Sequence, residues 1–167
     1  VRRALLPFLA AILVSTAARA DHIGIYTDGT ASSCVLASGF NPTVTLVHKF
    51  AAGATGSRFR VDFSSAPGSV FYSFAGSFPA VGLLNDDLSL SYGQCLTGSF
   101  VLGTMVTTLA PGQIYVRAAF GASNILYTNC SFDEVIASGG QASIGNSQCM
   151  ASGTESATWG EIKSLYR

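Results

Sequence analysis

The feature that most constrains this chain is a strict alternation between residues 57 and 64. Phe59, Val61 and Phe63 stand on one parity, and Arg58, Arg60 and Asp62 on the other. Only a strand sends successive side chains to opposite faces, so this segment predicts one buried and one wet side. Val44, Leu46, His48 and Phe50 form a second such set, with Thr45, Val47 and Lys49 facing the other way. The link 52–56, Ala-Gly-Ala-Thr-Gly, predicts a hairpin joining strands 43–51 and 57–64. Further strand-like runs cover residues 22–27, 34–37, 70–74, 88–92, 99–109, 113–120, 125–130 and 141–144. Asp28-Gly29, Ala66-Pro67-Gly68, Asn85-Asp86-Asp87 and Ala110-Pro111-Gly112 punctuate them as turns. Short strands cut by turns predict an all-β domain: an antiparallel sandwich of immunoglobulin or fibronectin type, or a flattened barrel. No repeat of fixed period is present.

The first 20 residues follow a different logic. Arg2 and Arg3 precede the apolar run 4–14, and Ala18-Arg19-Ala20 places small residues where a signal peptidase needs them. The run is too short for a comfortable membrane span, which takes about 20 apolar residues. A secretory leader cleaved after Ala20 is therefore expected, leaving a secreted or periplasmic chain that begins at Asp21 and has no membrane span. Its removal takes Arg2, Arg3 and Arg19, so acidic residues then outnumber basic ones. That balance argues against nucleic acid, whose binding needs clustered positive charge.

Cys34, Cys95, Cys130 and Cys149 are an even set in an oxidising compartment, which predicts two disulfides. Three connectivities are possible. Closure of a short C-terminal loop favours Cys130–Cys149, with Cys34–Cys95 as the other bridge. No two cysteines have zinc-site spacing, and beyond the leader only His22 and His48 are available, so no metal is expected. No phosphate-cradling loop precedes a helix, and no cofactor is expected.

Catalytic groups are equally sparse. No Gly-x-Ser-x-Gly elbow exists. His48 lies on the apolar parity of its strand and reads as a hydrogen-bonded core histidine; a hydrolase would need it beside a carboxylate in a pocket. Lys49, Arg58 and Arg60 are expected to cluster on the outer face of one hairpin, as an anionic contact or as charges that guard a strand from pairing. Tyr92, with Tyr72, Tyr115 and Tyr127, is a candidate for stacking on sugar rings.

The C-terminal stretch differs again. Residues 151–157 read as a linker after a β domain spanning 21–150. Residues 158–167 then read as a short helix, with Thr158 and Glu161 at capping-box spacing. Trp159, Ile162, Leu165 and Tyr166 fall on one side of that helix. Ten residues are marginal as a free helix, so the tail is expected to dock on its own domain or on another molecule.

Together, His22-Ile23-Gly24-Ile25-Tyr26 with Ser33-Cys34, then Tyr92-Gly93-Gln94-Cys95, Cys130, Gly139-Gly140 before Cys149, and the ending Thr158-Trp159-Gly160-Glu161-Ile162-Lys163-Ser164-Leu165-Tyr166-Arg167 form a pattern. It resembles a family of exported β-rich proteins of environmental bacteria, over nearly all of the chain after the leader. The resemblance implies export and fold rather than an activity. The functional expectation is a non-enzymatic module for binding, adhesion or surface assembly, with a glycan or cell-surface partner. A hydrolase using His48, and a structural subunit docking through the tail, are the alternatives. The oligomeric state stays open.

Overall fold

The computed structural model describes residues 21–145, and every regular element among them is a strand. The order is β1 (His22–Tyr26), β2 (Val35–Leu36), β3 (Gly39–Asp62), β4 (Val70–Gly76) and β5 (Ala80–Leu83), then β6 (Asp87–Leu109), β7 (Gly112–Arg117), β8 (Ile125–Asn129), β9 (Glu134–Gly139) and β10 (Gln141–Ile144). The expected leader, Cys149, the linker 151–157 and the tail 158–167 lie outside the described residues. No helix among the described residues is long and apolar enough to cross a membrane.

The hairpin expected across residues 52–56 is not formed. Instead 24 residues run on as the single strand β3. Its middle is held from both sides, with Ala54 facing Leu96 and Asn129, and Gly56 facing Ser91 and Thr128. Gly53 serves a close approach and not a turn. A Cβ there would lie 2.8 Å from Cys130 Sγ, and its φ of 141° disfavours any L side chain. The expected strands 88–92 and 99–109 likewise fuse into the 23-residue β6. Repeated register shifts in the β3–β6 ladder are bulges that let two long strands bend together. The turn at 66–69 forms as expected: Ser69 N–H donates to the Ala66 carbonyl at 3.1 Å, and Gly68 has φ 92°.

β3 and β6 make the spine of the sheet, from Gly39 opposite Leu109 to Phe59 opposite Leu88. Around the second half of β3 the strands run β5–β6–β3–β8–β9, all antiparallel. The last residues of β3, Arg60–Asp62, turn instead to β7, which continues through β10 to β2. The fold is all-β, but not wholly antiparallel as expected, since β1–β9 and β10–β2 pair in parallel. The strands β5 and β9 escaped the sequence reading.

One core joins both strand groups. Ile23, Leu46, Phe59, Leu88, Leu102 and Met105 come from the larger group, and Ile114, Ala142, Ile144 and Leu36 from the smaller. At about 25 cal/mol per Å² of apolar surface removed from water, these side chains supply most of the driving force for folding.

Cys95 is bonded to Cys130, which corrects the expected Cys34–Cys95 and Cys130–Cys149 pairing. The reason lies in the ladder. Leu96 and Asn129, their chain neighbours, pair with the same residue, Ala54, from opposite sides. The 35-residue separation gave no hint of that closeness. Cys34 is likewise disulfide-bonded.

Candidate functional site

His48 sits at the centre of a buried polar knot. Its Nε2 lies 3.2 Å from Asp21 Oδ1, and its Nδ1 3.3 Å from the Tyr92 hydroxyl. A neutral ring satisfies both, donating from Nε2 to the carboxylate and accepting the phenol proton at Nδ1. Phe100, Tyr127 and Tyr92 pack around the imidazole at 5.2, 5.7 and 6.3 Å between ring centroids. Burial lowers the His48 pKa, and Asp21 only partly opposes it. Burial first, then Asp21, pushes the Tyr127 phenol up to about 12. His48 is 0% exposed. The carboxylate partner a hydrolase would need is present, but no substrate atom reaches the ring.

The other sequence candidates are dispersed. Tyr92, 4% exposed, is a core residue and offers no surface for a sugar. Tyr127 is buried too, Tyr115 is half-buried and Tyr72 is exposed. Lys49, Arg58 and Arg60 do not form the expected cluster, because they lie along one strand and not on a hairpin. Lys49 and Arg58 are separated by up to roughly 30 Å of extended chain. The Lys49 ammonium sits over the Tyr26 and Phe50 rings at 5.2 and 5.3 Å. Arg60 donates from Nε to the Ala118 carbonyl at 3.1 Å and stacks on Phe120 at 4.3 Å. Arg58 forks onto the Asp87 carboxylate at 2.8 and 2.5 Å. Those hydrogen bonds hold the Asp87 carboxyl below its usual range. Among the described residues no three His, Cys, Asp or Glu side chains gather as a metal site.

What the ladder does assemble is a surface. Val81 stands opposite Ser89, Ser89 opposite Arg58, Arg58 opposite Leu126, and Leu126 opposite Ile136. Directly paired residues share a face, so these five side chains form one row across five strands. The next row inward, from Leu90 through Ser57 to Tyr127, is buried. The outer row is open: Val81 is 77% exposed and Ile136 63%, with Leu83 at 65% beside them. Three large aliphatic side chains therefore surround the Arg58–Asp87 ion pair in water.

A cleft of about 470 Å³ adjoins this row, lined by Gly56, Ser91, Gly93, Thr128, Cys130 and Phe132 among others. Gly56 permits the close approach of β6 beside it, since a Cβ there would lie 2.7 Å from the Leu90 carbonyl oxygen. The rim of the cleft is Phe132, 78% exposed and held at φ 65°, a left-handed conformation rare for a bulky residue. The tip of the β8–β9 hairpin enforces that shape. Asn129 Oδ1 accepts from the Ser131 and Asp133 amides, both at 2.9 Å, while the disulfide ties Cys130 to β6. Strain of this kind persists only where the surrounding structure enforces it. Sequence reasoning missed Val81, Phe132, Ile136 and Asp87. Only Phe132 carried a signal, as a lone aromatic in a polar turn.

Neither a protein-family profile nor a curated protein sequence matches the chain. Two solved structures show distant similarity, both of the cohesin kind. A cohesin module from a Clostridium perfringens family 33 glycoside hydrolase has a TM-score of 0.46 at 8% identity, over 75% of this chain and 97% of its own. A chain of the CaDoc0917–CaCohA2 complex gives 0.46 at 8% identity, over 74% of this chain and 99% of its own. A likeness this distant says nothing about a ligand.

Proposed function

We propose that this protein is a non-enzymatic binding module that works outside the cytoplasm and takes another protein as its partner. The observation that carries the reading is the exposed row Val81–Ser89–Arg58–Leu126–Ile136, with Leu83 and Phe132 at its borders. Aliphatic side chains flanking a single ion pair supply the two things a protein interface uses, apolar area to bury and a charged pair that sets orientation. Sugars favour flat aromatic platforms, and three of the exposed side chains in this row and its margin are aliphatic. His48, the residue a hydrolase would depend on, is sealed in the core. The signal-like residues 1–20 and the Cys95–Cys130 bridge support a site outside the reducing cytoplasm. We also read the two strand groups as the faces of a flattened sandwich.

The test is site-specific photocrosslinking in producing cells, with a benzophenone side chain at position 81, at position 136, and at position 43 as a reference. Discrete protein adducts from 81 and 136 alone, lost when Arg58→Glu is introduced, are the expected result. Equal labelling from position 43, or no protein adduct together with glycan capture by the purified domain, overturns it.

A further inference from the structure

A second apolar patch lies on another stretch of the same sheet. Phe40, Thr108 and Val70 are paired across β3, β6 and β4, so their side chains share a face. Tyr72 joins them: its hydroxyl is 3.1 Å from Thr108 Oγ1, and its ring meets Phe40 edge-on at 6.4 Å between centroids. Phe40 is 67% exposed, Tyr72 57% and Val70 45%. We propose that residues 158–167 of this same chain dock on this patch and cover it.

The occupant follows from where the chain leaves the described residues. Gly145 is the last of them, and its amide donates to the Leu36 carbonyl at 3.0 Å. Phe40 follows Leu36 by four residues, so it lies within about 14 Å of that exit. The stretch from Gly145 to Thr158 spans up to about 45 Å, ample for the journey. Of the four cysteines, Cys95 and Cys130 bond each other, which leaves Cys149 as the one other cysteine in the chain with which Cys34 can pair. A Cys34–Cys149 bridge, inferred together with the docking, would tie the tether to the β2 end of the fold, on the approach to Phe40. A short tether raises the effective concentration of the tail at a nearby patch far above that of a free partner.

The chemistry also matches. The tail carries Trp159, Ile162, Leu165 and Tyr166 at helical spacing, an apolar stripe that is marginal as a free helix. Laid over Phe40, Val70 and Tyr72 it follows the helix-on-apolar-surface mode, in which one stripe of anchors removes two exposed surfaces from water at once. This proposal is independent of the partner-binding reading, because it uses neither the Val81–Ile136 row nor Phe132.

The chain holds a single tryptophan, Trp159, which makes the test direct. In the full chain, the expected result is blue-shifted Trp159 emission protected from acrylamide at every protein concentration. Phe40→Ser with Tyr72→Ser abolishes that protection, with the thermal midpoint of the β domain preserved. Val81→Ser with Leu83→Ser leaves the protection intact. A quencher-accessible Trp159 in the unmodified chain overturns the proposal. So does protection that survives Phe40→Ser with Tyr72→Ser, or protection that appears only as concentration rises, which assigns the tail to a second copy. Loss of partner crosslinking from position 81, with Trp159 still protected, would sink the function reading and leave this one standing.

Discussion

Two stretches of β3 each set a basic side chain against a carboxylate, and the fold uses them in opposite ways. At His48 the partner is Asp21, both are enclosed, and aromatic rings exclude water. At Arg58 the partner is Asp87, and the two side chains remain 45% and 37% exposed. The ingredients are similar, and the medium decides the outcome. In a low-dielectric core a polar pair is strong but committed, since breaking it strands a buried group. At the surface water screens the same attraction, so the pair adds little stability and stays free to exchange partners. The first pair therefore belongs to the architecture, and the second is the one the proposed binding face would use.

The contrast can be broken at several points. His48→Ala removes a buried partner from both the Asp21 carboxylate and the Tyr92 hydroxyl and opens a cavity, with an expected loss on the order of 3–5 kcal/mol. Urea denaturation measures it, and a loss below about 1 kcal/mol, within the range of ordinary surface changes, would remove the knot from the architecture. The disulfide comes next. Cys95→Ser with Cys130→Ser is expected to cost about 2–4 kcal/mol by freeing the unfolded chain. Because that bridge also anchors the Phe132 turn, partner crosslinking from position 136 should weaken in the same variant. Unchanged crosslinking would separate the turn from the binding face.

A third test uses pH. Burial, then Lys49, then His48 lower the His22 pKa to about 4, and burial lowers that of His48 as well. In the unfolded chain both rings take protons near pH 6.5, which the folded state refuses. Their contribution is therefore complete above pH 6.5 and is lost as pH falls toward about 4. Thermal midpoints should drop across that window, and His22→Asn should flatten the slope. A flat profile in the unmodified chain would mean that neither ring is buried in a neutral form. The smallest effect on stability belongs to the outer face. Val81→Ser and Ile136→Ser should each shift stability by no more than about 0.5 kcal/mol while abolishing the crosslink. A large loss of stability would show these side chains to be structural, and the comparison would collapse.

The sequence was legible in uneven ways. The parity of Phe59, Val61 and Phe63 against Arg58, Arg60 and Asp62 named a strand and its buried side, because side-chain period is a local property. The same residues could not tell a hairpin from a continuous strand. Gly53 and Gly56 look like turn residues, yet one makes room for a disulfide and the other sits between two ladders. Tyr92 shows the same limit: a tyrosine in a strand has equal claim to core and surface until its neighbours are known. Val81 and Ile136 carried no signal at all, since an aliphatic residue in a short run reads as core whichever way it faces.

By itself the sequence determined the all-β class, most of the strand-forming runs and the basic-then-apolar pattern of residues 1–20. Those depend on composition and on residues a few positions apart. Tertiary structure alone decided that Cys95 meets Cys130, that His48 is sealed against Asp21, and that five strands line up one exposed row. Each of these is a pairing between distant segments. Ladder register fixes such pairings, and register is set by the whole sheet burying its core at once.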